Sequence, residues 1–227
     1  MYYDLYYILI LPALFVALWA QMKVSSTYKK YNKVPTMAKL TGAQVARSIL
    51  DANGLYNVRI EHTNGSLTDH YDPRNQVIRL SGAVYSASTI SAIGIAAHET
   101  GHAIQYAQGY TPIKLRSAII PVTQIGSYAA IPLVLLGSIL AVPGLAVAGV
   151  ALFATVVVFQ LITLPVELDA SKRAIATISG GQYLTLEETE GAKKVLDAAA
   201  FTYVAALFTA IVNLLRLVLI VSSRRRD

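Results

Sequence analysis

Apolar residues in this chain gather into long unbroken blocks instead of the narrow stripes of a soluble fold. The longest block runs from Ser117 to Val166, 50 residues without a charge, bounded by Arg116 and Glu167. One helix crossing the bilayer core needs about 20 apolar residues, so this block has room for two. Val142-Pro143-Gly144 near its middle is a turn signal. The pattern predicts a hairpin with spans at about 118–140 and about 145–165. Pro121, Gly126 and Pro132 would weaken a soluble helix but are tolerated in a membrane one.

Leu5–Ala20 is a second block long enough to span. Asp4 precedes it, Lys23 follows it, and it has no small-x-small cleavage site. It therefore reads as a retained anchor, with its N-terminus outside, and not as a signal peptide. Tyr2, Tyr3, Tyr6, Tyr7 and Trp19 suit the two membrane interfaces. A further apolar run, Ala198–Ser222, is interrupted by Asn213 and Arg216. It is either a span, with Arg216 facing protein or reaching for the nearest surface, or a half-buried interfacial helix.

Between the first two blocks the pattern changes. Thr41 and Gln44 have the spacing of a capping box, and the helix they open ends near Asn53-Gly54. Asn57–His62 and Gln76–Leu80 alternate apolar and polar residues as strands do, with Asp72-Pro73-Arg74-Asn75 as a turn between them. Val77–Leu80 is either a plain sheet strand or an edge that pairs with an extended substrate. A long helix is expected over about residues 86–108. Its first half, Ser88–Ala97, is small, apolar and uncharged, which suits a buried core helix more than a span. Residues 23–116 thus read as a small α+β domain.

Composition agrees with the membrane reading. The 227 residues are 55% hydrophobic and only 14% charged, with a mean hydropathy of +0.50. Soluble domains carry about 25% charged residues. With no cysteine in the chain, disulfides, a thiol nucleophile and a cysteine zinc site are all excluded. The net charge of +6 points to a membrane surface or nucleic acid. The hydropathy favours the membrane, and the basic Lys23–Lys39 stretch reads as a flank beside anionic headgroups. Residues 23–116 hold 11 Lys and Arg, and residues 167–197 hold 4 more. With three spans both segments lie on one side, which the positive-inside rule makes the cytoplasm. The tail Arg224-Arg225-Arg226 opposes this if the last run also spans.

The chemistry lies in His98-Glu99-Thr100-Gly101-His102. Helix positions i and i+4 share a face, so the two imidazoles can hold one Zn²⁺. Glu99 stands beside them, free to take a proton from the attacking water as general base. Small Gly101, Ala96 and Ala97 suit a closely packed helix. A catalytic zinc needs a third protein ligand. The other histidines, His62 and His70, lie upstream. Downstream, Glu167 and Asp169 are the rival carboxylates, and composition does not separate them.

His98–Ala103 (HETGHA) together with Pro165–Ala174 (PVELDASKRA) resembles the YugP family, bacterial membrane proteins described as "putative neutral zinc metallopeptidases". Leu67–Arg74 and Val77–Ser81 also look like that family, and the resemblance covers about residues 1–220. More distantly, the arrangement is similar to HtpX-type membrane gluzincins. In these, a membrane hairpin separates the H-E-x-x-H helix from a second helix bearing a glutamate ligand. The resemblance implies Glu167 as third ligand. HtpX-type chains read E-x-x-x-D, whereas here Ser171 takes the aspartate position. Asp169 is then a candidate to support a ligating histidine. His70, Tyr71 and Arg173 are candidates to stabilise the oxyanion.

The expected architecture is a mainly α membrane protein with three to four transmembrane helices and a small cytoplasmic α+β zincin-like catalytic domain. Its segments are an anchor (1–22), the catalytic domain (23–116), the hairpin (117–166), a helix with the third ligand (167–197), and a C-terminal membrane helix with a basic tail (198–227). The expected function is a multi-pass cell-membrane zinc endopeptidase with one Zn²⁺ per chain, facing the cytoplasm and acting on membrane-associated protein or peptide substrates. Its surroundings are the lipid bilayer and a partner within a membrane complex, with no nucleic acid. The alternatives are a site-2-like intramembrane protease and a non-catalytic zinc scaffold or chaperone partner. The former carries a later Asp-Gly motif that this chain lacks.

Overall fold

The computed structural model describes residues 8–223; Tyr2, Tyr3, Tyr6, Tyr7 and Arg224–Arg226 lie outside them. The chain divides into two compact units. The helices are α1 (Ile10–Tyr31), α2 (Gly42–Ala52), α3 (Gly82–Tyr85), α4 (Ile90–Ala107), α5 (Thr111–Ile139), α6 (Pro143–Gly180) and α7 (Leu186–Ser223). The strands are β1 (Arg59–Thr63), β2 (His70–Asp72) and β3 (Val77–Ser81). Among the described residues, four helices are long and apolar enough to cross a membrane: α1, α5, α6 and α7.

One unit draws on Lys114–Pro165 and on the described parts of Met1–Gln21 and Thr202–Asp227. The expected turn at Val142-Pro143-Gly144 joins α5 to α6. Glycines let the two helices touch. A Cβ at Gly149 would lie 2.7 Å from the Ala130 carbonyl oxygen, and one at Gly126 2.7 Å from that of Leu152. Val134, Ala146, Leu217 and Val221 bury a small core. Large apolar side chains such as Ile125, Leu135 and Phe15 point outward, as a lipid environment allows.

The other unit comprises Met22–Ile113 and Val166–Phe201. Thr41 caps α2 with the expected capping box, and the helix stops at Asn53. The sheet has the order β1-β3-β2, with β1 parallel and β2 antiparallel to β3. This corrects the edge reading of Val77–Leu80: β3 is central, paired on both sides and mostly buried. The Asp72 side chain accepts from the backbone N–H groups of Arg74 and Asn75, which closes the turn between β2 and β3.

Two faces of α4 are covered. Ala92, Ala96 and Ala103 meet the sheet residues Ile78 and Leu80. Ile90, Ile93, Ala97 and Ile104 meet α2, the end of α6 and the start of α7. A helix apolar all round must be buried, which is how Ser88–Ala97 read in the sequence. The helix starts later than expected. Ser86 ends the short α3, and Thr89 caps α4 by accepting from the Ala92 N–H.

The C-terminal segments also differ from expectation. α6 runs unbroken through Pro165 to Gly180, so Glu167 does not open a new helix. Residues 167–197 are the end of α6, a short link and the start of α7. Thr185 and Glu188 form a second capping box that starts α7 well before Ala198.

Candidate metal centre

α4 presents His98 and His102 one turn apart on the face left uncovered by its two apolar contacts. Their rings stand edge to face with centroids 4.7 Å apart. Glu167, on α6, meets both: its Oε2 lies 3.2 Å from His98 Nε2 and 3.4 Å from His102 Nε2. The ligand atoms of these three residues all lie within 4.8 Å of one another, a geometry able to hold a metal ion. Donors about 2.0–2.1 Å from a tetrahedral zinc sit roughly 3.4 Å apart, so this His₂Glu set fits zinc.

Gly101 makes the approach of α4 and α6 feasible. A Cβ there would lie 2.7 Å from the Ala170 carbonyl oxygen on α6. The second carboxylate of the motif, Glu99, is buried at 8% exposure. Its negative charge acts on His102.

Each imidazole is also held through Nδ1. His102 Nδ1 lies 3.0 Å from Gln105 Oε1. The fully buried Gln105 amide donates from Nε2 to the Val166 carbonyl and to Asp169 Oδ2, both at 2.8 Å. With the NH₂ end committed to two acceptors, Oε1 must face His102. That fixes the proton on Nδ1 and leaves the Nε2 lone pair for a metal. His98 Nδ1 lies 3.2 Å from the hydroxyl of Ser171.

The remaining candidates fall in different places. Asp169 touches neither histidine directly; it accepts from Gln105 and from Arg173, which also donates to Gln108 and lies over the Tyr110 ring. Arg173 therefore braces Asp169. His70 lies on β2, exposed, its Nδ1 2.8 Å from the Thr68 carbonyl oxygen. Tyr71 packs its ring against Tyr106 of α4. Burial first, then the neighbouring Tyr106 and Asp72, push its phenol pKa up, so it remains a neutral donor. His62 packs beside Gly82 and Tyr85.

Gln105 is the residue that sequence reasoning missed. Its signal was present: H-E-x-x-H-x-x-Q places a glutamine three residues after His102, on the same side of the helix.

Burial pushes the His102 pKa down. The hydrogen bond that His102 donates to Glu167 and the charges of Glu99 and Glu167 outweigh it, so the net direction is up from 6.5.

Comparison with known proteins places the chain in a family. Residues 6–222 match a family described as "Putative neutral zinc metallopeptidase". The chain belongs to this family. It is also 47% identical over 223 residues to the "Putative membrane protease YugP" of Bacillus subtilis (strain 168), covering 98% of this chain and 99% of that protein. No solved structure matches the chain. The family description names zinc, and His98, His102 and Glu167 are the group that could hold a metal ion here.

Proposed function

We propose that this protein is a membrane-embedded zinc endopeptidase that hydrolyses peptide bonds at the His98–His102–Glu167 centre. The observation that carries the reading is the convergence of two Nε2 atoms and one buried carboxylate from helices far apart in sequence. Zinc held there, one ion per chain, would act as Lewis acid toward the scissile carbonyl and lower the pKa of water. Glu99, adjacent in sequence to His98 and close enough to charge-couple to His102, accepts the proton of the attacking water. It then returns that proton to the leaving amine. No protein donor holds the Glu99 carboxylate among the described residues, which suits a base that must meet water. Of the oxyanion candidates, Tyr71 is kept neutral and is the donor we favour, Arg173 is engaged by Asp169 and Gln108, and His70 is exposed on β2.

Fifteen of the Lys and Arg residues in segments 23–116 and 167–197 support a cytoplasmic face for the centre. Four apolar helices and a relative named a membrane protease support protein substrates held in or beside the bilayer. The test is Glu99→Gln in the full chain. Cleavage of a protein substrate is expected to vanish while zinc stays near one per chain. Lost cleavage together with lost zinc would refute the general-base role. Zinc analysis of His98→Ala, His102→Ala and Glu167→Ala tests the ligand set; unchanged zinc in any of them removes that residue from it.

A further inference from the structure

Within the Met22–Ile113 and Val166–Phe201 unit, the sheet keeps one open edge. β1 pairs with β3 alone, and the Arg59 N–H donates to the Gln76 carbonyl at 3.0 Å. Backbone direction alternates along a strand. Arg59, Glu61 and Thr63 therefore turn their N–H and C=O groups toward β3, while Ile60 and His62 turn theirs away. Those outward groups have no partner among the described residues. α2 does not close over the strand. An open groove of about 570 Å³ lies beside it, lined by Ala43, Gln44 and Ser48 of α2 with Ile60 and Tyr85.

An unpaired edge is a template for another strand, and charge of one sign is a common way to blunt it. β1 carries both signs. Arg59 and Glu61 stand two residues apart on the same face of the sheet, 2.9 Å from each other, with side chains 64% and 37% exposed. Basic, apolar, acidic is an order that complements itself when the strand is reversed. We infer that β1 pairs with β1 of a second copy of this chain, antiparallel about a two-fold axis at Ile60. The outward N–H and C=O of Ile60 then bond those of Ile60 in the other copy. Arg59 of each copy faces Glu61 of the other, and opposite charges directly across a ladder are favourable. A two-fold at Glu61 would instead set two glutamates against each other, so charge selects the register. The groove beside Ile60 leaves room for the facing isoleucine. The exposed His62 lies at each end of the new ladder, where water meets its backbone groups.

The experiment uses the full-length protein in membranes and in a neutral detergent. The chain has no cysteine, so a single introduced one reports one position. Ile60→Cys is expected to give a disulfide-linked dimer on mild oxidation, since facing residues of a ladder lie within disulfide reach. Tyr56→Cys, at a more exposed position, is expected to stay monomeric, because in this register it lies eight residues from its own copy. Equal linking at both positions would mean random collision and would overturn the proposal, as would no linking at Ile60→Cys. Sedimentation in detergent then tests the charges. Arg59→Glu alone and Glu61→Arg alone should each weaken the dimer about ten-fold, from two facing pairs turned repulsive. An equimolar mixture of the two variants should recover nearly wild-type association, because each glutamate again faces an arginine. A wild-type chain that sediments only as a monomer would overturn the pairing. So would single variants that associate like wild type, or a mixture no tighter than its folded components.

Discussion

Gln105→Met removes the amide that orients His102 and keeps nearly the same volume. Gln105 is fully buried and makes three polar contacts, to His102 Nδ1, the Val166 carbonyl and Asp169 Oδ2. The Val166 carbonyl lies within α6 and Asp169 keeps Arg173, so their losses are partial. His102 Nδ1–H loses its acceptor outright, and an unsatisfied buried donor costs about 1–3 kcal/mol. Outer groups that hold a metal-ligating histidine are typically worth 10–100-fold in metal affinity, which is about 1.4–2.7 kcal/mol. The assay is zinc competition against a chromophoric chelator, paired with thermal unfolding of the apo and zinc-loaded full-length protein. A positioning role predicts weaker zinc binding and a smaller gap between the two melting temperatures, because zinc stabilises in proportion to its affinity. A merely structural role predicts that both forms melt earlier by the same amount with affinity unchanged. That second outcome would refute the reasoning. Gln105→Glu adds a further check. It restores an acceptor for His102 but places a carboxylate against Asp169, so it should destabilise the apo protein more than it weakens zinc.

Ser171→Asp would give His98 Nδ1 a charged acceptor in place of a hydroxyl; zinc competition is expected to show tighter binding, and Ser171→Ala looser binding, by roughly ten-fold in either direction. Gly101→Ala forces α4 and α6 apart, since its Cβ would meet the Ala170 carbonyl oxygen at 2.7 Å; a loss of about 1–3 kcal/mol in unfolding is expected, with weaker zinc binding, and an unchanged melt would refute the close-approach argument. The raised His102 pKa sets a sign for pH: without metal, its charged pair with Glu167 stabilises the fold below pH 6.5, and this is lost as pH rises through the raised value. Zinc must displace that proton, so uptake by the apo protein in weak buffer near neutrality should acidify the medium, and zinc affinity should fall as pH drops through the same range.

Features that depend on neighbouring residues were legible in the chain. The Thr41–Gln44 capping box, the Pro143 turn and the buried character of Ser88–Ala97 are all local patterns, and the structure has each of them. The metal face was legible for the same reason, because a helix fixes the relation of His98 to His102. What failed was pairing between distant segments. β2 has three residues, too few to alternate, and it exists because β3 needs a partner on its second side. The sequence of β3 is apolar enough for a central strand, but nothing local says that β1 runs parallel to it and β2 antiparallel.

The boundary at Glu167 fails differently, and the failure bears on the chemistry. Charge returns there, so the sequence suggested a new element, but a change of solvent does not end a helix. α6 continues through Pro165, and its part after that residue carries Glu167, Asp169, Ser171 and Arg173 within two turns. Glu167 contacts both histidines, Ser171 sits at Nδ1 of the first, and Asp169 reaches the second through Gln105. A break at residue 167 would free the ligand from its supports. The unbroken helix fixes all three in one register against α4, and Gly101 sets the distance. Zinc affinity should therefore respond to insertions in α6 by helical phase: one alanine after Glu167 rotates the supports by about 100°, and it should weaken zinc binding far more than one placed after Gly180, beyond the helix.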